Sequence, residues 1–178
     1  MAPRAKSPWL ILGLLSQGPR SGYDIQREVD EATVHFWRES FGAIYPALAR
    51  LVREGLVRAV ATPANARGRK AYALTANGRR SLQAWLEQPP EIEVGRNELM
   101  LKLYVGETLA PDVLAGHIQS AAQRHAEVLD YLNFAERALD GSPRVRAYRL
   151  LAIRAGQRLA EARLQWAEDA LRVLSKLR

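Results

Sequence analysis

The sequence contains no cysteine, which excludes disulfide bonds and thiolate-bound metal centres. Histidine is also scarce, because the 178 residues include only His35, His117 and His125. No HExxH pattern, GxSxG elbow or phosphate-binding glycine loop occurs in the chain. We therefore expect no catalytic residue, no metal ion and no cofactor, and a protein that is not an enzyme.

Long hydrophobic runs are absent as well. The longest, Trp9 to Leu15, has seven residues and includes Gly13, whereas a membrane-spanning helix needs about 20. No small-x-small cleavage site follows this run. These absences predict a cytoplasmic protein that has no membrane partner.

Charge is distributed unevenly along the chain, whose net charge is +7. Residues 1–88 carry 13 Lys and Arg against 7 Asp and Glu. Residues 89–142 carry 4 against 9, and residues 143–178 carry 9 against 3. The basic first block predicts a polyanionic partner. The other two blocks have opposite signs and can pack on each other without an external ligand.

The stretch from Ser40 to Val57 predicts a short helix with two different faces. Pro46 lacks an N–H and fits only the first turn, so the helix should begin near Gly42 or Ala43, and Gly55 should end it as a left-handed cap. The apolar face consists of Ile44, Leu48, Leu51 and Val52. The opposite face is small and basic, and consists of Ala43, Pro46, Ala49, Arg50 and Arg53. Such a helix fits the DNA major groove, although an ordinary amphipathic surface helix has the same pattern.

The segments around this helix predict a winged helix over residues 1–88. Before it, Ser7 and Pro8 open a first helix, and Ser21 with Asp24 forms a capping box for a second. After it, residues 56–61 and 71–74 favour two strands. The loop between them carries Arg67, Arg69 and Lys70. These cations suit phosphates or a minor groove, and a solvated loop is the alternative. Thr75 caps a fourth helix, which Pro89 and Pro90 end.

Residues 89–178 predict a helical dimerisation domain. Residues 98–105 predict a short buried helix, and Pro111 opens a long helix with an unbroken heptad seam. The seam members are Leu114, Ile118, Ala121, His125, Val128, Leu132, Ala135 and Leu139. A last helix has apolar residues at the same heptad spacing, and they are Val145, Tyr148, Ala152, Ala155, Leu159, Ala162 and Trp166. Seams of this length need a second molecule to cover them, and a homodimer is the simplest solution. The residues assigned to this interface are Leu114, Ile118, His125, Leu132, Leu159 and Trp166.

Three ordered motifs in the first 88 residues give a more specific prediction. They are ILGLLSQGPRSGYDI, FWRESFGAIYPALARLVREGLV and GRKAYALTANGRR. With them the chain resembles the PadR family of winged-helix transcriptional regulators. The length of the second half resembles the longer subgroup of that family, which includes virulence activators. Position 43 departs from the pattern, because the family commonly has Ser or Thr where this chain has Ala43, so a hydroxyl that would cap the helix or contact DNA is missing.

The resemblance implies a dimeric regulator, usually a repressor, that binds a palindromic operator in double-stranded DNA and often responds to a small molecule. It implies Tyr45 and its neighbours in the major groove, and Arg67, Arg69 and Lys70 in the wing. The full predicted DNA-binding set is Ser21, Tyr23, Ala43, Tyr45, Pro46, Arg50, Arg53, Arg67, Arg69 and Lys70.

An effector pocket for a small aromatic molecule is expected at Trp9, Tyr148 and Trp166, although each of these aromatics could instead be a core residue. Two alternative functions are compatible with the sequence. One is a dimeric ligand-binding protein that no longer binds DNA, and the other is an adaptor on a winged-helix scaffold. The expected fold is mainly α, with an N-terminal winged helix-turn-helix, a two-stranded wing and C-terminal long helices that dimerise.

Overall fold

The computed structural model describes residues 7–32, 42–60, 70–91 and 97–177. The chain divides into two compact units, Met1–Ile92 and Glu93–Arg178. The elements of the first unit are α1 (Ser7–Leu15), β1 (Arg20–Ser21), α2 (Gly22–Ala32), α3 (Ile44–Arg53), β2 (Val57–Val60), β3 (Ala71–Leu74) and α4 (Ala76–Leu86). Those of the second unit are α5 (Glu98–Tyr104), a 3₁₀ turn (Gly106–Thr108), α6 (Pro111–Arg137) and α7 (Pro143–Leu174).

Helix α1 is the centre of the first unit, as its nearly all-apolar sequence predicts. Ile11 and Leu12 are fully buried and Leu15 is 2% exposed. They share one core with the apolar face of α3 and with Leu82 of α4. At the edge of this core, Trp9 stacks on Trp85 with ring centroids 5.3 Å apart and planes 4° from parallel. The stack joins the first helix of the unit to the last.

The sheet has three antiparallel strands in the order β1-β3-β2, one strand more than the predicted two-stranded wing. In β1, Arg20 pairs with Tyr72 and Ser21 with Ala71. A strand of two residues is too short to show an alternating pattern, so periodicity could not predict it. Its pairing with β3 fixes the point at which α2 begins.

Arg20 also makes a set of contacts that the sequence did not suggest. Its Nη1 lies 2.6 Å from a carboxylate oxygen of Glu28, and its Nε donates to the Leu14 carbonyl at 3.2 Å. One side chain thus connects the end of α1, the short strand β1 and the middle of α2. Because it is well covered by its surroundings, this ion pair is screened less by water than a surface pair.

Helix α5 differs from the expected short buried helix. None of its residues is buried, and Tyr104 is 90% exposed. Leu101 and Val105 are each 61% exposed. The prediction was wrong because an apolar composition was taken to mean burial inside the chain, whereas this helix leaves its apolar side chains on the surface.

Helices α6 and α7 form an antiparallel hairpin. The turn between them uses Gly141 at φ 109°, a conformation that favours glycine, and Ser142 caps α7 by accepting a hydrogen bond from the Val145 N–H. The predicted seam of α6 is confirmed as a core-facing stripe, since every member is buried or half-buried. Ile118 is fully buried and Leu132 is 4% exposed.

The seam predicted on α7 is not the one that faces α6. Its members are mostly exposed, with Tyr148 at 63% and Leu159 at 55%. The residues that are covered instead also follow a heptad rhythm: Ile153, Gln157, Ala160, Leu164, Ala167, Leu171 and Leu174. At about 100° per residue the two stripes lie roughly 130° apart around the helix. Helix α7 therefore has two heptad stripes, and the one that packs inside the chain is not the one predicted.

The predicted dimer interface is corrected accordingly. Leu114, Ile118 and Leu132 are covered within the single chain, so they offer no surface to a second copy. His125 is half-buried on the same stripe. Leu159 and Trp166 lie on the stripe of α7 that remains exposed.

A polar cluster interrupts the apolar seam between α6 and α7. The Gln157 side-chain amide donates to Asn133 Oδ1 at 3.0 Å and to Glu136 Oε2 at 2.8 Å. Arg154 also contacts the Glu136 carboxylate, at 3.3 Å. These hydrogen bonds hold the pKa of Glu136 below its usual range, with the Gln157 bond as the main cause. Because polar partners must meet, the cluster favours one register of the hairpin over others.

Candidate nucleic-acid interface

Helix α3 has the ends that its sequence predicts. It begins after Ala43, which as the N-cap residue provides no side-chain hydrogen bond, as expected from the missing hydroxyl. Pro46 lies in the first turn, where no intrahelical N–H is needed. At the other end Gly55 has φ 68°, and the N–H groups of Gly55 and Leu56 donate to Val52 O at 3.1 Å and Leu51 O at 3.0 Å. This is the Schellman arrangement, so α3 has a defined length.

The two faces of α3 are separated nearly as predicted. Ile44, Leu48 and Leu51 are at most 1% exposed and belong to the core of the first unit. Val52 is 39% exposed and was wrongly assigned to the apolar face. The exposed residues of the helix are Tyr45, Pro46, Ala49, Arg50, Val52 and Arg53. The helix thus presents a small and basic surface with one aromatic side chain near its N-terminal end.

The two arginines of α3 have different surroundings. Arg50 Nε lies 3.4 Å from Glu54 Oε1, one helical turn away, and both side chains are about half-exposed. Arg53 is exposed on the same side of the helix. A surface pair of this kind contributes at most about 1 kcal/mol, so it does not prevent Arg50 from moving to a phosphate.

Tyr45 packs against the start of α2. The side chain is 55% exposed, and its ring lies so close to Gly22 that a Cβ placed on Gly22 would be 2.8 Å from Tyr45 Cε1. Tyr23, the next residue of α2, is 52% exposed. Two tyrosines therefore flank the place where α2 and α3 begin.

Ser21 has a different role from the DNA contact that was predicted. It is 6% exposed, its hydroxyl donates to Asp24 Oδ2 at 2.6 Å, and it accepts from the Asp24 N–H at 3.1 Å. The capping box is therefore confirmed. Because the hydroxyl is buried and already used as donor and acceptor, the assignment of Ser21 to the DNA surface is corrected.

The wing is attached to the end of α3 through Thr75. The Thr75 hydroxyl lies 2.8 Å from Gly55 O and 3.0 Å from Leu56 O, and it accepts from the Gly78 N–H at 3.0 Å. It thereby caps α4 and joins this helix to the C-cap of α3. A Cβ on Gly78 would lie 2.1 Å from Leu56 O, so only glycine fits this close approach.

Of the three predicted wing cations, Lys70 is described and is exposed just before β3. Arg67 and Arg69 lie outside the described residues. Sequence reasoning missed Arg58, which is exposed on β2 and pairs across the sheet with Ala73. A single arginine in a four-residue strand has no pattern that would distinguish it from a solubilising charge.

Residues 11–84 match the transcriptional regulator PadR-like family, and residues 95–175 match the virulence activator alpha C-term family. The chain is a PadR-family regulator with a C-terminal helical domain. This confirms the predicted resemblance and the expectation of a regulator and not an enzyme.

Individual relatives give the same result as the families. The negative transcriptional regulator PadR of Bacillus subtilis is 38% identical over 98 residues, a match that spans 54% of this chain and 54% of that protein. The crystal structure of Bacillus subtilis PadR in complex with operator DNA is 28% identical, with a TM-score of 0.80 over 94% of this chain and 98% of that one. The structure of Bacillus subtilis PadR in complex with p-coumaric acid is 26% identical, with a TM-score of 0.77 over 94% and 97%.

The aromatics predicted for an effector pocket of this PadR-family chain have different settings. Trp9 is half-buried in its stack on Trp85. Tyr148 is exposed, and the Arg144 guanidinium carbon lies 5.9 Å from its ring centroid. Trp166 is 37% exposed on α7.

Two further expectations concern absences. Among the described residues no group of three or more His, Asp or Glu side chains is arranged to hold a metal ion. No helix in the described parts of the chain is long and apolar enough to span a membrane.

Proposed function

We propose that this chain is a homodimeric repressor that binds a palindromic operator through α3 and the wing. Residues 1–88 would bind DNA, and residues 89–178 would dimerise. The observation that carries the proposal is the exposed face of α3, where small side chains allow close approach to DNA. Tyr45 provides a contact to bases, and Arg50 and Arg53 provide contacts to phosphates. The complex of Bacillus subtilis PadR with operator DNA supports it.

The exposed stripe of α7 supports a dimer. Its large apolar members are Tyr148, Leu151, Leu159, Trp166 and Val173, which are 37% to 68% exposed. Apolar side chains in such a continuous row indicate an interaction site. Helix α5 adds a second exposed apolar surface in the same unit.

A second copy is the simplest occupant of these surfaces, because a two-fold interface is formed by the same surface on both protomers. The opposite charges of residues 89–142 and 143–178 are paired within one chain, as Arg154 and Glu136 are, so they do not by themselves select a partner. A dimer of this symmetry spaces two reading helices for a palindrome.

The proposal is tested by selecting duplexes from a random-sequence DNA library with the full-length protein and measuring their affinity by fluorescence anisotropy over a range of salt concentrations. We expect a palindrome to be enriched, and the logarithm of its binding constant to fall linearly with the logarithm of salt concentration. Enrichment of no sequence would contradict the proposal and favour a winged helix that has lost DNA binding.

The wing is tested in the same assay. Replacing Arg67 and Arg69 with alanine should weaken binding to all sequences and reduce the salt slope by about 0.9 for each phosphate that is no longer neutralised. The control removes two arginines from the exposed surface of α6, Arg124 and Arg137, and should leave the slope unchanged. An unchanged slope in the wing variant would mean that these residues do not contact phosphates.

The last part of the proposal is that a small-molecule effector releases the protein from DNA. The complex of Bacillus subtilis PadR with p-coumaric acid supports a flat aromatic ligand, and Trp166 remains its proposed contact. Tyr148 lies 18 residues before Trp166 on the same continuous helix, about 27 Å along its axis, so one small ligand cannot contact both within a protomer. Trp9 is already stacked on Trp85. A ligand releases DNA only if it prefers the form that does not bind DNA. Titration of tryptophan fluorescence with p-coumaric acid, with and without operator, should therefore give different affinities. Equal affinities, or unchanged binding in Trp166→Leu, would contradict it.

A further inference from the structure

The glycine at position 22 is explained by the side chains that surround it and not by its backbone conformation. Among the described glycines, φ is positive at Gly18, Gly55 and Gly141, and Gly22 is not one of them. It is instead the buried first residue of α2. Any residue could adopt this backbone, so the absence of a side chain must have another reason.

The reason is the ring of Tyr45. A Cβ on Gly22 would lie 2.8 Å from Tyr45 Cε1 and 3.4 Å from its Cζ, and 3.5 Å from Leu48 Cδ1. The first of these distances is too short for two carbon atoms, so a methyl group at position 22 would require a shift. Which atoms shift depends on how firmly each side is held.

The α2 side of this contact is fixed. Ser21 is buried, is paired with Ala71 in the sheet and is hydrogen-bonded to Asp24. Leu48 is 1% exposed in the core. The Tyr45 ring is more than half exposed, so it is the part that a methyl group would displace.

We propose that Gly22 is a positioning residue that sets operator specificity by holding the Tyr45 side chain in place on the exposed face of α3. The notch left by glycine accepts one edge of the ring and restricts its rotamers before DNA is bound. A side chain that is ordered in advance loses less entropy on binding. A displaced ring would also meet the base edges in the wrong place. This inference rests on the proposed DNA-binding function.

The test is a double-mutant cycle of Gly22→Ala and Tyr45→Ala in the full-length protein, with anisotropy measured for the selected operator and for random DNA over the same range of salt concentrations. Gly22→Ala should lower the ratio of the two affinities by about 3- to 10-fold and leave the salt slope unchanged. In the Tyr45→Ala background the same change should have no further effect, because the methyl group then has room. The control is Gly13→Ala, a helical glycine with nothing within 4 Å of its Cβ position.

A second measurement does not need DNA. With 3-fluorotyrosine placed at position 45, the fluorine resonance of the free protein should shift in Gly22→Ala and not in Gly13→Ala. If Gly22→Ala alone folds poorly, the double variant should regain the stability of Tyr45→Ala.

The outcomes of these experiments distinguish a failure of the role proposed for Gly22 from a failure of the proposed DNA-binding function. Additive effects in the cycle, or an unmoved resonance, overturn the positioning role and leave DNA binding intact. An unchanged affinity ratio in Tyr45→Ala overturns the role of Tyr45 as a reading residue, and the role of Gly22 with it. Absence of any sequence preference in the unmodified protein overturns the proposed function itself.

Discussion

Gly156 of α7 lies directly against Leu132 of α6, so closely that a Cβ on the glycine would be 2.9 Å from Leu132 Cδ1. Leu132 is 4% exposed and is enclosed by its surroundings. The seam on this side of α7 continues with Ala160 and Ala167, which are 3% and 2% exposed. Small residues allow two helices to approach closely, and at Gly156 the absence of a side chain is what makes room for Leu132.

We predict that Gly156→Val destabilises the hairpin by about 1 to 3 kcal/mol, because added methyl groups must displace a packed leucine. Urea unfolding followed by far-ultraviolet circular dichroism measures the change. Gly116→Val is the matched control, since that glycine is exposed on α6 with nothing within 4 Å. Equal stability of the two variants would show that the α6–α7 contact is looser than the structure has it.

The ion pair on α3 predicts an effect on DNA affinity. Glu54→Gln should strengthen binding to operator and random DNA alike by a few-fold at low salt, because it frees Arg50 and removes a negative charge near the phosphates. The gain should fade as salt rises. Glu87→Gln, at the end of α4, changes the net charge equally and should have a smaller effect. Equal gains in both variants would assign the effect to net charge alone.

His125 predicts a dependence of stability on pH. Burial is the main cause that lowers its pKa from 6.5, and the positive charges of Arg163 and Arg124 lower it further. The unfolded chain therefore binds a proton at higher pH than the folded one, so stability falls as pH drops below about 6.5, until the folded pKa is passed.

Replacing His125 with glutamine should flatten the urea midpoint against pH in this range. Gln119→Ala, an exposed and uncharged position on the same helix, is the control and should leave the profile unchanged. The lowered pKa of Glu136 acts in the same direction in a more acidic range, below its usual 4.5, so the two contributions separate by pH. A profile that His125→Gln does not alter would contradict the assignment.

The exposed stripe of α7 predicts the oligomeric state. Leu159→Glu should shift a dimer towards monomer in analytical ultracentrifugation, because a carboxylate would be buried in an apolar contact. Leu86→Glu, a leucine at the end of α4 that is 65% exposed, is the control and should remain dimeric. A dimer of the Leu159 variant at every concentration would place the interface elsewhere.

Local features of this chain were predictable from sequence because they depend on hydrogen bonds between neighbours. The capping box of Ser21, the N-cap at Thr75 and the C-cap at Gly55 all agree with prediction. The apolar stripe of α3 agrees too, except at Val52, which lies at its margin. Those features, with the three family motifs, were enough to identify a winged helix and the face it presents.

By itself, then, the sequence determined where most helices begin and end, and which residues of α3 form its exposed face. Only the tertiary structure decided which of two heptad stripes on α7 is covered by α6, that α5 is exposed, and that Gly22 lies under Tyr45. The physical reason is that the spacing of apolar residues in a sequence indicates how side chains are arranged around a helix axis. It does not indicate which other element, or solvent, each face of the helix contacts. Both stripes of α7 are mainly apolar, so their spacing alone does not distinguish them, and the close contact of Gly156 with Leu132 exists only once α6 and α7 have packed together.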